Sequence, residues 1–165
     1  MITGAPGSGK STVSEALAGR LDRGAHVPVD FFRKMVKGGY ASPHLWNEEV
    51  ERQYRVARRS AAHTALNLAE AGFVPVIDDI IAPPWVAEWT SALSGMQCVF
   101  VLLRPPLSVA LARNRDRPIW TVDEAILRQL YDMFERDYTS GWLRIDTSAC
   151  PLEEAVDRIL RTVTP

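Results

Sequence analysis

Along this chain, short apolar runs suited to buried strands alternate with stretches whose apolar residues return every three or four positions, the spacing of a helix face. Met1-Ile2-Thr3 is strand-like, and Ser11 to Arg23 reads as a helix. His26 to Val29 is a second short strand, ending at Asp30, and Phe31 to Val36 forms a helical turn. A loop at Gly38 to Pro43 leads to a long helix that Asn47 caps, with Val50, Tyr54, Ala57, Ala61, Ala65 and Leu68 on one face and Gly72 at its end. Val74 to Ile77 is a buried strand running into Asp78-Asp79, and Pro83-Pro84 opens a helix to about Leu93. Gln97 to Leu103 is a strand apolar on both faces, followed by a helix from Pro105 into Ala112. Thr121 and Glu124 form a capping box for a helix through about Arg136. Trp142 to Ile145 is the last strand, and Pro151 starts the final helix. Strands alternating with helices in this way give an α/β architecture: five parallel strands covered by helices on both faces. No repeat, low-complexity tract or linker breaks the series, so residues 1–165 are expected to be one domain.

At 165 residues and 47% hydrophobic, the chain has material for one core. No apolar run approaches membrane-spanning length and no secretion signal leads the sequence, so a cytoplasmic protein is expected. Cys98 and Cys150 lack metal-ligand spacing and read as reduced thiols. Sixteen arginines against three lysines carry no functional reading of their own, because genome base composition alone can produce that bias.

The first strand runs into Gly4-Ala5-Pro6-Gly7-Ser8-Gly9-Lys10-Ser11-Thr12, which fits Gly, four residues, Gly-Lys-Ser/Thr. Glycines let the backbone N–H groups approach phosphate oxygens, Lys10 adds charge for the β/γ-phosphates, and the Ser11 hydroxyl can ligate Mg²⁺. The following helix presents a positive N-terminus. A Gly-rich turn that happens to hold a lysine is the bland alternative; the strand before and the helix after argue against it. A nucleoside triphosphate is therefore the expected ligand. Only three residues precede Gly4, where a buried strand usually has about five or six. Either the strand is stunted or residues upstream of Met1 are missing, and the second is the favoured expectation.

In a parallel sheet the site lies at the carboxyl ends of the strands, which directs attention to Asp30, Asp78, Asp79, Arg104 and the run Asp146-Thr147-Ser148. One such aspartate could merely cap a helix; three around a phosphate loop favour chemistry. Asp30, after the second strand, is the candidate general base for an acceptor hydroxyl. Asp78 is the candidate for the Mg²⁺ that Ser11 ligates, with Asp79 left to bind the acceptor or cap a turn. Arg113-Asn114-Arg115-Asp116-Arg117-Pro118 falls between two helices, where charge is usually solvated. Alternate arginines there also suit a lid over residues 113–121 that neutralises a transferring phosphoryl group. Arg113 is further placed to stack on adenine.

Taken together, the Gly-rich loop, the lone Asp30, the strand end Val76-Ile77-Asp78-Asp79-Ile80 and the arginine turn resemble small P-loop phosphotransferases. The resemblance is nearest to chloramphenicol phosphotransferase and its bacterial relatives, and more distant to shikimate, gluconate and adenylate kinases. It spans essentially the whole chain in element order, although only the phosphate loop is highly specific. It implies a three-layer P-loop NTPase fold with sheet order 2-3-1-4-5, ATP with Mg²⁺, and γ-phosphoryl transfer to an acceptor hydroxyl. It also implies Asp30 as base, Arg113 and Arg117 as lid arginines, and Thr147 to Pro151 as the loop against adenine. Shikimate kinases carry Asp-x-Asp after strand two; Pro28-Val29-Asp30 lacks the first carboxylate, which moves the metal-water role toward Asp78.

The acceptor region, Phe31 to Trp46, matches no acceptor signature. Arg33, Lys34 and Lys37 would suit an anion, while Phe31, Phe32, Tyr40, Trp46 and Trp85 would line an apolar pocket; either set could equally be surface or core. The expected pocket wall is Phe31, the Gly38–Trp46 loop, Tyr54 and Trp85, which suits a small organic alcohol. A GTPase switch is excluded because no Asn-Lys-x-Asp occurs. A polynucleotide 5′-kinase and a non-catalytic nucleotide-binding module are the alternatives. Net charge −1 gives little support to a nucleic-acid track, and a base and a lid argue against a mere binder.

Overall fold

The computed structural model describes residues 1–44, 46–117, 121–135 and 139–163. Five strands, β1 (Ile2–Thr3), β2 (Gly24–Pro28), β3 (Val74–Asp78), β4 (Val101–Leu103) and β5 (Leu143–Ile145), pair in the order β2-β3-β1-β4-β5. All four pairings are parallel. Among the described residues seven helices connect and cover them: α1 (Lys10–Arg20), α2 (Val29–Lys34), α3 (Glu48–Glu70), α4 (Pro83–Ala92), α5 (Leu107–Arg115), α6 (Glu124–Met133) and α7 (Leu152–Val163). This is the sheet order of the P-loop kinase fold.

Strand side chains alternate between faces, so adjacent residues serve different cores. Val76 packs with Val13, Leu17, Val156 and Ile159 beneath α1 and α7. Ile77 packs with Val27, Ala57, Ala61, Ala65 and Trp89 beneath α3 and α4. Ala57, Ala61, Ala62 and Ala65 form the inner stripe of α3 and are essentially unexposed, so this long helix lies close against the sheet. Asn47 accepts a hydrogen bond from the Val50 backbone N–H at 3.0 Å and fixes where α3 begins.

The register aligns the site. Ile2 pairs with Asp78 and Val101, Pro28 with Asp78, and Leu103 with Ile145. Gly4, Asp30, Asp78-Asp79, Arg104 and Asp146 therefore leave the sheet along one edge. Gly7 meets a second constraint. Its φ is +81°, and a Cβ there would sit 2.2 Å from the carbonyl oxygen of Ala110 on α5. Only glycine lets the loop lie that close.

Four sequence expectations shift. The ladder of β4 covers Val101–Leu103 only; ahead of it Gln97 is exposed and Cys98 to Phe100 are half-buried, with single hydrogen bonds from the Met1 amino group to the Val99 carbonyl at 2.9 Å and from the Leu143 N–H to the Phe100 carbonyl at 3.1 Å. Val29 opens α2 rather than closing β2, which puts Asp30 in the first turn of a helix. Asp123, not Thr121, caps α6, accepting from the backbone N–H groups of Ala125 at 2.8 Å and Ile126 at 3.3 Å. The far end expected for that helix, Arg136, lies outside the described residues. Helix α5 runs on to Arg115, so Arg113 and Arg115 occupy its last turn instead of a loop, where cations complement the helix dipole.

Candidate functional site

The loop between β1 and α1 places Gly4, Pro6, Gly7, Ser8 and Gly9 under the N-terminus of α1. Lys10 Nζ reaches back to donate to the carbonyl oxygens of Gly4 at 2.8 Å and Ala5 at 3.3 Å. Its ammonium thus lies across the mouth of the loop. Burial lowers the Lys10 pKa; Asp78 and Asp30 oppose this, and Arg117 adds repulsion. Those influences put three carboxylates, Asp78, Asp30 and Asp79, and the Arg117 guanidinium within electrostatic reach of Lys10.

Asp78 ends β3 and is 6% exposed. Its Oδ1 accepts from the Ser11 hydroxyl at 3.4 Å, and its Oδ2 lies 2.5 Å from His26 Nε2 on β2. Hydroxyl and carboxylate oxygens are hard donors that suit Mg²⁺, and α1 and β3 bring this pair to the loop. Asp79 lines the same cleft with different partners. Its Oδ2 accepts from Trp89 Nε1 at 3.2 Å and lies 3.5 Å from Arg58 Nε. The two adjacent carboxylates thus have different partners, with Asp78 beside Ser11 and Asp79 against Trp89 and Arg58.

Burial pushes the Asp79 carboxyl from 3.8 up to about 7, outweighing the opposite pull of Arg58, the Ile80 N–H and Trp89. A raised folded-state value means that the folded protein keeps a proton which the unfolded chain has released. Relative to Asp79→Asn, the wild type should lose stability as pH rises from about 4 to about 7. The loss should be on the order of 1 kcal/mol or more. Urea unfolding of both proteins at several pH values in EDTA checks this; parallel pH profiles would contradict it.

Asp30 is exposed in the first turn of α2. It lines a cleft of about 410 Å³ with Lys10, Ser11, Asp78, Asp79 and Arg117. The sequence-derived acceptor residues divide around it. Arg33, Lys34 and Tyr40 line the same cleft, as do Pro43, His44 and Tyr54. Phe31 turns to solvent at 61% exposure, and Lys37 is exposed. This corrects the expectation of Phe31 as pocket wall: α2 has one inner face, and Asp30 with Arg33 takes the side toward the cleft. Phe32 packs against the core under α3 and α4. Trp46 stacks on Tyr54 at 5.5 Å and leans on Trp85 at 6.1 Å, a layer behind Tyr54 rather than a lining of the cleft.

The arginines also separate. Arg113 donates to Thr147 Oγ1 at 3.0 Å and to the Thr147 carbonyl at 2.9 Å, and Thr147 Oγ1 donates to the Ser8 carbonyl at 2.9 Å. This chain ties α5 and the β5–α7 turn to the phosphate loop. Beside it lies a second cavity of about 290 Å³, lined by Gly9, Thr12, Val13, Arg113, Thr147, Cys150, Leu152 and Ala155. Arg117 instead faces the main cleft. Positions 118–120 of the expected lid, Pro118 among them, lie outside the described residues. Arg104 leaves the site, pairing with Glu135 and covering the Tyr131 ring at 4.5 Å. Asp146 accepts from the Ser148 N–H at 2.8 Å and the Ser148 hydroxyl at 2.6 Å, which holds its carboxyl below the ordinary range and fixes the turn that presents Thr147.

Sequence reasoning missed Asn114 and His26. Asn114 is 4% exposed inside the arginine run, and its side chain both donates to the Val122 carbonyl at 2.7 Å and accepts from the Val122 N–H at 3.0 Å. It ties the last turn of α5 to Val122, just ahead of α6. A lone uncharged residue in a run of charges was the available signal. His26 gave none, because its contact to Asp78 depends on β2 pairing with β3.

A family model described as an AAA domain, AAA_18, matches residues 1–137. No curated protein matches. A putative kinase from Chloroflexus aurantiacus is 20% identical, covers 99% of this chain and 96% of its own, and superposes with a TM-score of 0.71. The tunicamycin resistance protein of Deinococcus radiodurans is 17% identical over 99% of this chain and 93% of its own, with a TM-score of 0.68. Shikimate kinase from Acinetobacter baumannii, in complex with shikimate, is 22% identical over 98% and 90%, with a TM-score of 0.66. At these identities the likeness is one of fold.

Proposed function

The chain belongs to the AAA domain family, and from that premise and the geometry of its cleft we propose that it is an ATP-dependent phosphotransferase, moving the γ-phosphoryl group to a hydroxyl of a small-molecule acceptor. One observation carries this reading: Lys10, Ser11, Asp30, Asp78 and Arg117 line a single cleft at the carboxyl ends of the strands. A nucleotide-binding module has no use for a free carboxylate opposite its phosphate loop. A kinase does.

In this reading the loop amides and Lys10 hold the β- and γ-phosphates, and the ribose and adenine extend past Thr12 toward Arg113 and Thr147. Ser11 and Asp78 would hold Mg²⁺, which when bound would neutralise phosphate charge. Asp30 orients the acceptor hydroxyl and accepts its proton as the new O–P bond forms and the bond to the ADP oxygen breaks. Arg117 meets charge on the transferring phosphoryl group, and the lid excludes water that would otherwise compete as acceptor. The fold neighbours include a sugar kinase and a gluconokinase, both named for small hydroxylated acceptors. The test is ADP release measured across small alcohols, sugars, hydroxy acids, nucleosides and 5′-hydroxyl oligonucleotides. Release that rises with a small acceptor supports the reading; release that rises only with the oligonucleotide replaces it with a polynucleotide kinase.

The two arginines should give different kinetic phenotypes. Arg117→Ala should lower kcat by about 10²-fold or more, with nucleotide affinity changed less than about threefold, because its contribution grows with transition-state charge. Arg113→Ala should mainly weaken ATP, since it breaks the links to Thr147. Steady-state kinetics with nucleotide titrations separates the two. Full activity in both variants would return these arginines to the surface.

A further inference from the structure

Two arginines are buried around the acceptor half of the cleft, and their surroundings differ. Arg58 on α3 is 1% exposed and sits among three carboxylates: Glu88 at 3.1 Å, Asp79 at 3.5 Å and Glu51 at 3.7 Å. Arg33 on α2 is 4% exposed and, among the described residues, has no carboxylate within ion-pairing distance. Its guanidinium lies 4.6 Å from the ring centres of both Tyr40 and Tyr54. One nitrogen donates to the Ala41 carbonyl at 3.1 Å, another to the Tyr40 hydroxyl, and Nε is buried without an acceptor. Burying a charge without a counter-charge is costly. This cation is nonetheless held in place, because Gln53 pins the loop carrying Tyr40 through Gly39 at 2.8 Å and Ala41 at 3.0 Å.

Arg33 follows Asp30 by three residues, so both project from the same side of α2, and both line the 410 Å³ cleft. Lys34 and His44 line it too. From this we infer that the acceptor carries an anionic group, a carboxylate or a phosphate, which supplies the missing counter-charge to Arg33 while its hydroxyl meets Asp30. The inference rests on the phosphotransferase reading and narrows it. A planar guanidinium held between two rings favours two-point recognition of an oxyanion. Side chains three apart on a helix stand about 5–6 Å from one another, so hydroxyl and anion lie within a few bonds in the acceptor. Small hydroxy acids and sugar phosphates have that form.

Two measurements test it. In the first, the protein is saturated with Mg²⁺ and the non-hydrolysable analogue AMP-PCP, which occupies the phosphate loop, and is titrated with malonate and with inorganic phosphate by calorimetry. Saturable binding of one of them, weakened at least tenfold in Arg33→Gln and less in Arg33→Lys, is the expected result; the lysine variant keeps the charge should the glutamine variant unfold. Equal binding in wild type and both variants, or none in wild type, would overturn the inference. In the second, ADP release is compared within matched pairs: glycerate against glycerol, and glucose 6-phosphate against glucose. The charged member should have the higher kcat/KM by at least tenfold, the first pair reporting a carboxylate and the second a phosphate. Preference for the neutral members would overturn the anionic acceptor while leaving the phosphotransferase standing. Anion binding that depends on Arg33, with no acceptor-dependent ADP release, would instead sink the phosphotransferase and leave the anion site intact.

Discussion

Lys10→Ala should reduce acceptor-dependent ATP turnover by about 10³-fold or more and weaken nucleotide binding at the same time. Lys10 is the only lysine in the phosphate loop, and its ammonium already spans the mouth by bonding the Gly4 and Ala5 carbonyls. With nucleotide bound, that charge faces the β- and γ-phosphates, where low dielectric strengthens it. The fold should survive. Lys10 packs against neither core, and losing two part-buried hydrogen bonds costs roughly 1 kcal/mol each. Circular dichroism, nucleotide titration and turnover on one preparation test this together. Wild-type turnover in a folded Lys10→Ala protein would remove the phosphate-loop assignment and everything built on it.

Asp30→Asn should separate binding from chemistry. The amide keeps the shape of the carboxylate but cannot take a proton, so phosphoryl transfer should fall by about 10²-fold or more. ATP affinity should change less than threefold, since Asp30 reaches the nucleotide only through long-range charge. Asp30 is solvent-exposed and caps no core element, so the substitution should leave the melting temperature nearly unchanged. Single-turnover rates against equilibrium nucleotide binding give the two quantities. An unchanged transfer rate would pass the role of base to Asp79, whose carboxylate lines the same cleft behind its bond to Trp89.

Much of this site could be read along the chain because local rules set it. The phosphate loop is a contiguous motif, and strand ends in a parallel sheet place Asp30, Asp78 and Thr147 on one edge without tertiary detail. Asn47 capped α3 as its side chain dictates. Tertiary structure decided the rest. The length of β4 depends on its pairing with β1 and β5, and the start of α6 depends on Asp123 having the better geometry for two free N–H groups. The division between Asp78 and Asp79 depends on Trp89 and Arg58, ten residues downstream and twenty-one upstream of Asp79, and neither can be paired with it by spacing. Phe31, Phe32 and Arg33 are consecutive, and one turn of helix sends them to solvent, core and cleft; no composition argument orders three such neighbours.

The phosphoryl group itself provides the most direct test. The protein is incubated with Mg²⁺ and ATP labelled at the γ-position, with and without the acceptor that most raises ADP release, and the label is followed by chromatography and ³¹P NMR. The account predicts that the label moves into an organic phosphate ester, one equivalent per ADP formed, and that Asp30→Asn slows its appearance. Label appearing only as inorganic phosphate, at the same rate with every acceptor and in Asp30→Asn, would contradict it.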